Sequence, residues 1–177
     1  MADALPRSPL APERFPDLPV IDGVTFSAVA AGVRYAGRRD VMLAVCAPGT
    51  AIAGTFTKSA TRSAPVLDCQ AKLGGETDTG AAILVNAGNS NAFTGRNGVA
   101  AVNAIVDATA AATDLPAARV FTASTGVIGE PLPFDRVTAK LAELTSTLAP
   151  GNMADAAQAI MTTDTYPKGA SATCDIN

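Results

Sequence analysis

Along the first half of the chain, apolar positions recur at every second residue or in short unbroken runs. In the second half they recur every third or fourth. Val24 to Val33 alternates and is rich in small residues, which predicts a strand. Val41 to Cys46 and Ile52 to Thr57 predict two more, divided by the turn signal Pro48-Gly49. Ala64 to Leu67, opened by Pro65, reads as a short extended piece. Ala81 to Asn86 has the unbroken apolar run of a fully buried strand. A helix should follow, with Asn97 as its N-cap and Val99, Val102, Ile105 and Val106 at helical spacing up to Ala112. Arg119 to Thr122 predicts the next strand. Phe134, Val137, Leu141, Leu144 and Leu148 form the stripe of a second helix, which Pro150-Gly151 stops. Asn152 opens a third helix through Met153, Ala156, Ala157, Ile160 and Met161, and Ala170 to Asn177 reads as a strand.

Strands first, then strands alternating with helices, predict a layered α/β or α+β fold. Alanine fills the gaps in the helix over Val99–Ala112, so it should pack closely on a sheet. Five prolines among the first 20 residues prevent regular pairing there, so residues 1–20 are expected to form an arm and 21–177 a single α/β domain. The last strand has neither turn nor cap after it, so further sequence is expected to follow Asn177.

Composition sharpens the picture. The chain of 177 residues is 48% hydrophobic and 16% charged, with a mean hydropathy of +0.24. About a quarter of residues are charged in an ordinary soluble domain, so this balance calls for a covering surface, either a partner subunit or a membrane. The longest weakly polar stretch, Val99 to Ala112, is too short and too polar to span a bilayer. The arm lacks the apolar centre of a signal peptide, which predicts a cytoplasmic protein. Net charge is −3, and the 13 Lys and Arg residues are scattered, whereas a nucleic-acid surface clusters them. Cys46, Cys69 and Cys174 lie far apart, and there is no histidine, so a zinc site is not expected and the cysteines read as buried free thiols.

Three polar clusters break the apolar pattern. Asn86-Ala-Gly88-Asn89-Ser90-Asn91-Ala-Phe93-Thr94-Gly95 lies between a buried strand and a helix. It reads either as a turn whose asparagines bond the local backbone or as an anion-binding loop at a helix N-terminus. It lacks the Lys-Ser/Thr ending of a Walker loop and the Gly-x-Gly-x-x-Gly of a dinucleotide site. Ser124-Thr125-Gly126 follows the strand Arg119–Thr122. It is either an ordinary turn or a place where a backbone amide beside a glycine points at a developing negative charge. Met161-Thr162-Thr163-Asp164-Thr165-Tyr166-Pro167-Lys168 ends the third helix. It either terminates that helix before Pro167 or binds a polar ligand.

Taken in order, Ala53-Gly54-Thr55-Phe56-Thr57, Ala64-Pro65-Val66, Asn86–Gly95, Ser124-Thr125-Gly126-Val127-Ile128-Gly129 and Met161-Thr162-Thr163-Asp164 resemble the ornithine acetyltransferase family, the glutamate N-acetyltransferases of arginine biosynthesis. The resemblance runs from about Gly23 to Lys168. Phe93 stands where many members have cysteine. Members are made as one precursor that cleaves itself before a threonine, giving an α and a β chain, and this sequence resembles the α chain. The family's Lys-Gly-Ser-Gly and Ala-Thr-Met-Leu motifs at the cleavage point do not occur in it.

The resemblance implies an acyltransferase with an N-terminal-nucleophile-like sandwich completed by the β chain, in an α2β2 heterotetramer. The β-chain threonine would attack the acetyl carbonyl of N-acetylornithine, using its own α-amino group as base, and glutamate would then accept the acetyl group in a ping-pong sequence. That explains an oxyanion device in a chain without histidine. Thr125, through its hydroxyl, and Gly126, through its backbone N–H, match the family's oxyanion hole, and Thr162 matches a substrate-binding threonine. The nucleophile and the family's lysine and glutamate would lie outside this chain. No metal or bound cofactor is implied. Alternatives are a bifunctional member that also takes acetyl from acetyl-CoA, a secondary-pathway paralogue, and a non-catalytic anion- or nucleotide-binding module built on Asn86–Gly95.

Overall fold

The computed structural model describes residues 6–175. Its centre is one sheet of four strands in spatial order β1 (Val24–Val29), β2 (Val41–Cys46), β3 (Ala81–Asn89) and β4 (Val120–Val127). The first three pair antiparallel and β3 pairs parallel with β4, with Ala82 opposite Val120 and Asn86 opposite Ser124. The parallel pair needs a crossover, and α2 (Gly95–Thr113) supplies it.

Alternation along β3 sorts the core. Ala82 and Leu84 point to a large cluster with Val41, Leu43, Val102, Ile105, Val106 and Val120. Ala81 and Ile83 point the other way, to a small cluster with Cys69 and Phe121. The main cluster is closed by α2 together with α3 (Phe134–Thr138) and α4 (Leu141–Ser146), through Val137, Leu141 and Leu144. Helix α1 (Ala64–Lys72) packs on β4 over the small cluster, and α5 (Met153–Ala159) packs against β1 and β2. The expected mixed, layered α/β architecture is observed.

Several elements differ from expectation, each for a local reason. Ala64–Leu67 is the start of α1, because Pro65 occupies the first turn, where proline costs no hydrogen bond. Lys72 then donates to Asp68 at 2.7 Å and to the Val120 carbonyl at 3.1 Å. Residues 52–57 form no strand; Ile52 and Phe56 satisfy their alternation by packing on the small cluster without a backbone partner. The long second helix is two short ones. At the break the Thr138 hydroxyl donates to the Asp135 carbonyl, a bond of the kind that bends helices, and at the end of α4 the hydroxyls of Thr145, Ser146 and Thr147 do the same to carbonyls three or four residues back. Helix α5 ends before Ile160, and the Asn152 side chain donates to the Thr147 carbonyl without capping it. Residues 170–175 are not a strand, and Ile176 and Asn177 lie outside the described residues. Cys69 is buried and Cys46 half-buried, but Cys174 is exposed. Burial pushes the Cys69 thiol up, the reverse of what a nucleophile needs.

The first strand stops at Val29 because of Asp40. This fully buried carboxylate accepts from the amides of Ala31 at 2.7 Å, Gly32 at 3.3 Å and Val33 at 2.6 Å, which turns the chain off the sheet. Its own amide and carbonyl bond Val29 and Ala87. Asp40→Ala should therefore destabilise the protein by about 3 kcal/mol, since it strands three amides, each costing about 1–3 kcal/mol when buried without a partner. A urea midpoint within error of wild type would count against this anchoring role. Residues 6–23 carry no helix or strand. The Ser8 amide bonds Thr165 Oγ1 at 3.1 Å, and the Phe15 ring lies so close to Gly169 that a Cβ there would fall 2.6 Å from it.

Candidate active site

The carboxyl ends of β3 and β4 carry two of the three polar clusters side by side. Polarity suggests loop in both, yet Asn86–Asn89 and Ser124–Val127 are strand. Asn86 on β3 and Ser124 on β4 are direct neighbours, and Ser124 Oγ donates to Asn86 Oδ1 at 2.7 Å. These two polar side chains satisfy each other across the ladder, and β4 runs on through Val127 instead of stopping near Thr122.

Adjacent strand residues point to opposite faces. Ser124 turns towards Asn86 and is spent there. Thr125 shares its face with Phe121 and Ala123, and among the described residues its hydroxyl makes no hydrogen bond. Phe121, Ala123 and Ser124, with Ile52, Phe56 and Cys69, line an apolar cavity of about 290 Å³ that stops short of Thr125. Between the two hydroxyls that the sequence places together, Thr125 is the uncommitted one.

Gly126 sits opposite Gly88 where β3 bulges, so that Asn89 faces both Thr125 and Val127. Its φ is +133°, and a Cβ there would lie 2.4 Å from the Gly88 carbonyl carbon and 2.7 Å from the Asn89 nitrogen. Glycine is required by this close approach of two backbones.

The asparagine-rich loop is bound up within the protein. Asn86 Nδ2 donates to the Asn89 carbonyl at 2.8 Å; Asn89 Nδ2 reaches the carbonyls of Glu130 and Pro131; Asn91 Nδ2 donates to that of Gly98. The Asn91 amide takes Asn89 Oδ1 at 2.7 Å, and both the amide and the hydroxyl of Ser90 take the Val127 carbonyl at 2.9 Å. Thr94 Oγ1 turns back to Asn91 Oδ1 at 2.8 Å. Helix α2 therefore begins at Gly95, with Thr94 at the cap position and Asn97 inside the helix. With its side chains and these amides so engaged, the loop offers an anion little, and the local-turn alternative describes it better.

The third cluster is not hydrogen-bonded to the other two. Thr162 is half-buried beyond α5, and its amide faces Asp164 Oδ2 at 3.4 Å. The hydrogen bond from Lys168 holds the Asp164 carboxyl below its ordinary value, so this tie is complete at neutral pH and loosens only as pH falls through that lowered value. Beside it, Arg38, Arg39, Gln158, Met161 and Tyr166 line a cavity of about 600 Å³.

What connects the clusters is residues 30–40, which the motif reading missed. Arg38 donates to the Met161 carbonyl and lies over the Tyr35 ring, 4.3 Å from its centroid. A Cβ on Gly88 would be 3.2 Å from that ring. Arg34 pairs with Glu130 at 2.8 Å just beyond β4. The signal was the lone acidic residue after Gly37-Arg38-Arg39, immediately before a buried strand.

A layered α/β sheet with a glycine-permitted backbone junction and a free hydroxyl at its carboxyl edge is the class of site these residues build. The family model for the ArgJ family matches residues 25–177, and the chain belongs to that family. It is 62% identical over all 177 residues to the arginine biosynthesis bifunctional protein ArgJ of Ruegeria pomeroyi, and 54% identical to that of Gluconobacter oxydans. It spans 43% and 41% of the length of those relatives, less than half. Among solved structures it resembles the ornithine acetyltransferase of Mycobacterium tuberculosis complexed with ornithine, with a TM-score of 0.75 at 36% identity over 81% of this chain and 77% of that one. The arginine biosynthesis bifunctional protein ArgJ of Bacillus halodurans is similar too, with a TM-score of 0.72 at 28% identity over 81% and 74%. Among the described residues no helix is long and apolar enough to cross a membrane, and no group of histidine, cysteine and acidic side chains is placed to hold a metal ion.

Proposed function

We infer that this chain is the α part of a cytoplasmic glutamate N-acetyltransferase of arginine biosynthesis, and that residues 21–177 act in it as one α/β unit. Its role is to stabilise charge. A threonine at the start of a second, β polypeptide attacks the acetyl carbonyl of N-acetylornithine, and the carbonyl electrons move onto oxygen. The Thr125 hydroxyl and the Gly126 N–H receive that oxyanion. Collapse expels ornithine, whose nitrogen takes a proton, and leaves the acetyl group on the threonine oxygen. The glutamate amine then attacks the same carbonyl, a second oxyanion forms in the same place, and N-acetylglutamate departs. Thr162 contacts the amino-acid part of the substrate. No step requires a metal or bound cofactor, and the working assembly is an α2β2 heterotetramer.

The observation that carries this reading is the division of labour between neighbouring hydroxyls. Ser124 is tied to Asn86, while Thr125, next to the glycine, is left free in a chain that belongs to the ArgJ family. The similarity to an ornithine-bound acetyltransferase supports the substrate class. The word bifunctional in the names of the relatives favours a second reading, in which acetyl-CoA also serves as donor.

The test is an assay of the complete gene product. Acetyl transfer from N-acetylornithine to glutamate is expected, with parallel double-reciprocal lines and one acetyl group per β chain in the absence of acceptor. Parallel assays with acetyl-CoA decide the donor range. A complete product that transfers acetyl from neither donor overturns the reading.

A further inference from the structure

The hydrogen-bond chain beneath the proposed oxyanion wall has a direction. Ser124 Oγ gives its proton to Asn86 Oδ1 at 2.7 Å. Asn86 Nδ2 gives one of its own to the Asn89 carbonyl at 2.8 Å. Asn86 is 1% exposed. Its carboxamide thus spans the β3 bulge from strand to bulged residue, and the same bulge carries Gly88 and Asn89 against Gly126. Two consequences follow for the wall. A pinned Ser124 fixes the pleat of β4, and with it the face to which the next side chain, Thr125, is turned. A braced Asn89 fixes the backbone on which Gly126 rests, leaving that glycine no room to drift. Asparagine suits both tasks because its short carboxamide presents an acceptor to the serine and a donor to the carbonyl from two separate atoms.

We propose that Asn86 is a positioning residue for acetyl transfer, acting through Ser124 and the Gly88-Asn89 bulge to hold Thr125 and Gly126 at the oxyanion. This rests on the oxyanion reading above. Asn86 touches no reacting atom, so its effect belongs on kcat: the wall matters when charge develops, whereas substrate binding uses other groups.

The experiment uses the complete, cleaved enzyme, with rates counted per acetylatable threonine so that misfolded molecules drop out. Asn86→Ala should lower kcat by about 10- to 100-fold, the scale of a small misplacement in a catalytic constellation. KM for N-acetylornithine and for glutamate should stay within about twofold. Ser124→Ala breaks only the first link and should cost about tenfold; Ser124→Thr, which keeps the hydroxyl, should recover most of that. In a Thr125→Ala background, either alanine change should add less than about twofold, because coupled residues are not additive. If Asn86→Ala does not accumulate, the Ser124 series and its cycle with Thr125 carry the test. Unchanged kcat in these variants, or losses that multiply with that of Thr125→Ala, overturns the positioning role while leaving Thr125 in place. If Thr125→Ala alone leaves kcat unchanged, the oxyanion reading falls, and the positioning role with it.

Discussion

Thr125→Ala should slow acetyl transfer by about 10²–10³ in kcat, equivalent to about 2.7–4 kcal/mol, the cost of one oxyanion donor. Stability should change by less than about 1 kcal/mol. The side chain is only half-buried, and its hydroxyl holds nothing in the described residues, so no partner is stranded when it goes. That separation sets Thr125 apart from Ser124, Asn86 and Asn89 beside it, whose polar groups are bonded within the protein. Thr125→Ser, which keeps a hydroxyl on the same face of β4, should retain much of the rate. Self-cleavage of a precursor passes through a similar oxyanion, so Thr125→Ala should also delay the appearance of two chains on a denaturing gel. A kcat within twofold of wild type would remove Thr125 from the role, since Ser124 is engaged and cannot substitute.

The architecture was readable where side chains alone decide it. β2 and the apolar part of β3 follow from unbroken Val, Leu, Ile and Ala runs, and the core face of α2 from Val102, Ile105 and Val106. It was unreadable where polar groups find partners far away in sequence. Nothing local shows that Ser124 would meet Asn86, so a strand with polar residues at its end looks like a loop. Nor does periodicity reveal that Asp40 would close a turn seven to nine residues behind it, which makes residues 30–33 look like more strand. Pro65 misled for a simpler reason: it opens an extended piece or a helix equally well, and only the packing of Cys69 and Leu73 on Phe121 selects the helix.

The candidate site shows the same division. The residue types were visible as clusters, and the family resemblance singled out Thr125 and Thr162, but their environments were not visible. Geometry supplies a physical reason to prefer Thr125 over Ser124 that residue chemistry alone cannot, because the two differ by a methyl group and by the face they occupy. It also reduces the asparagine cluster from a candidate ligand cradle to the brace of a bulge.

Gly126→Ala should be the most damaging single substitution at this site, for two independent reasons. Its φ of +133° lies in a region that residues with a Cβ avoid, at a cost of about 1–3 kcal/mol. The added methyl would also sit 2.4 Å from the Gly88 carbonyl carbon, and the hydrogen-bonded backbone of a neighbouring strand cannot swing aside as a side chain can. Forcing the strands apart adds about 1–3 kcal/mol for overpacking, so a total near 3 kcal/mol or more is expected, with turnover lost as the wall separates. Gly88→Ala is the matched control. Its φ of +101° carries a similar conformational cost, but its methyl would meet side chains, Arg34 Cβ at 2.7 Å and the Tyr35 ring at 3.2 Å, and not the backbone of a paired strand. Gly88→Ala should therefore lose less stability than Gly126→Ala and keep measurable acetyl transfer. Equal losses in thermal midpoint would show that backbone conformation alone accounts for both glycines, and the close contact between β3 and β4 would then have no special part in shaping the site.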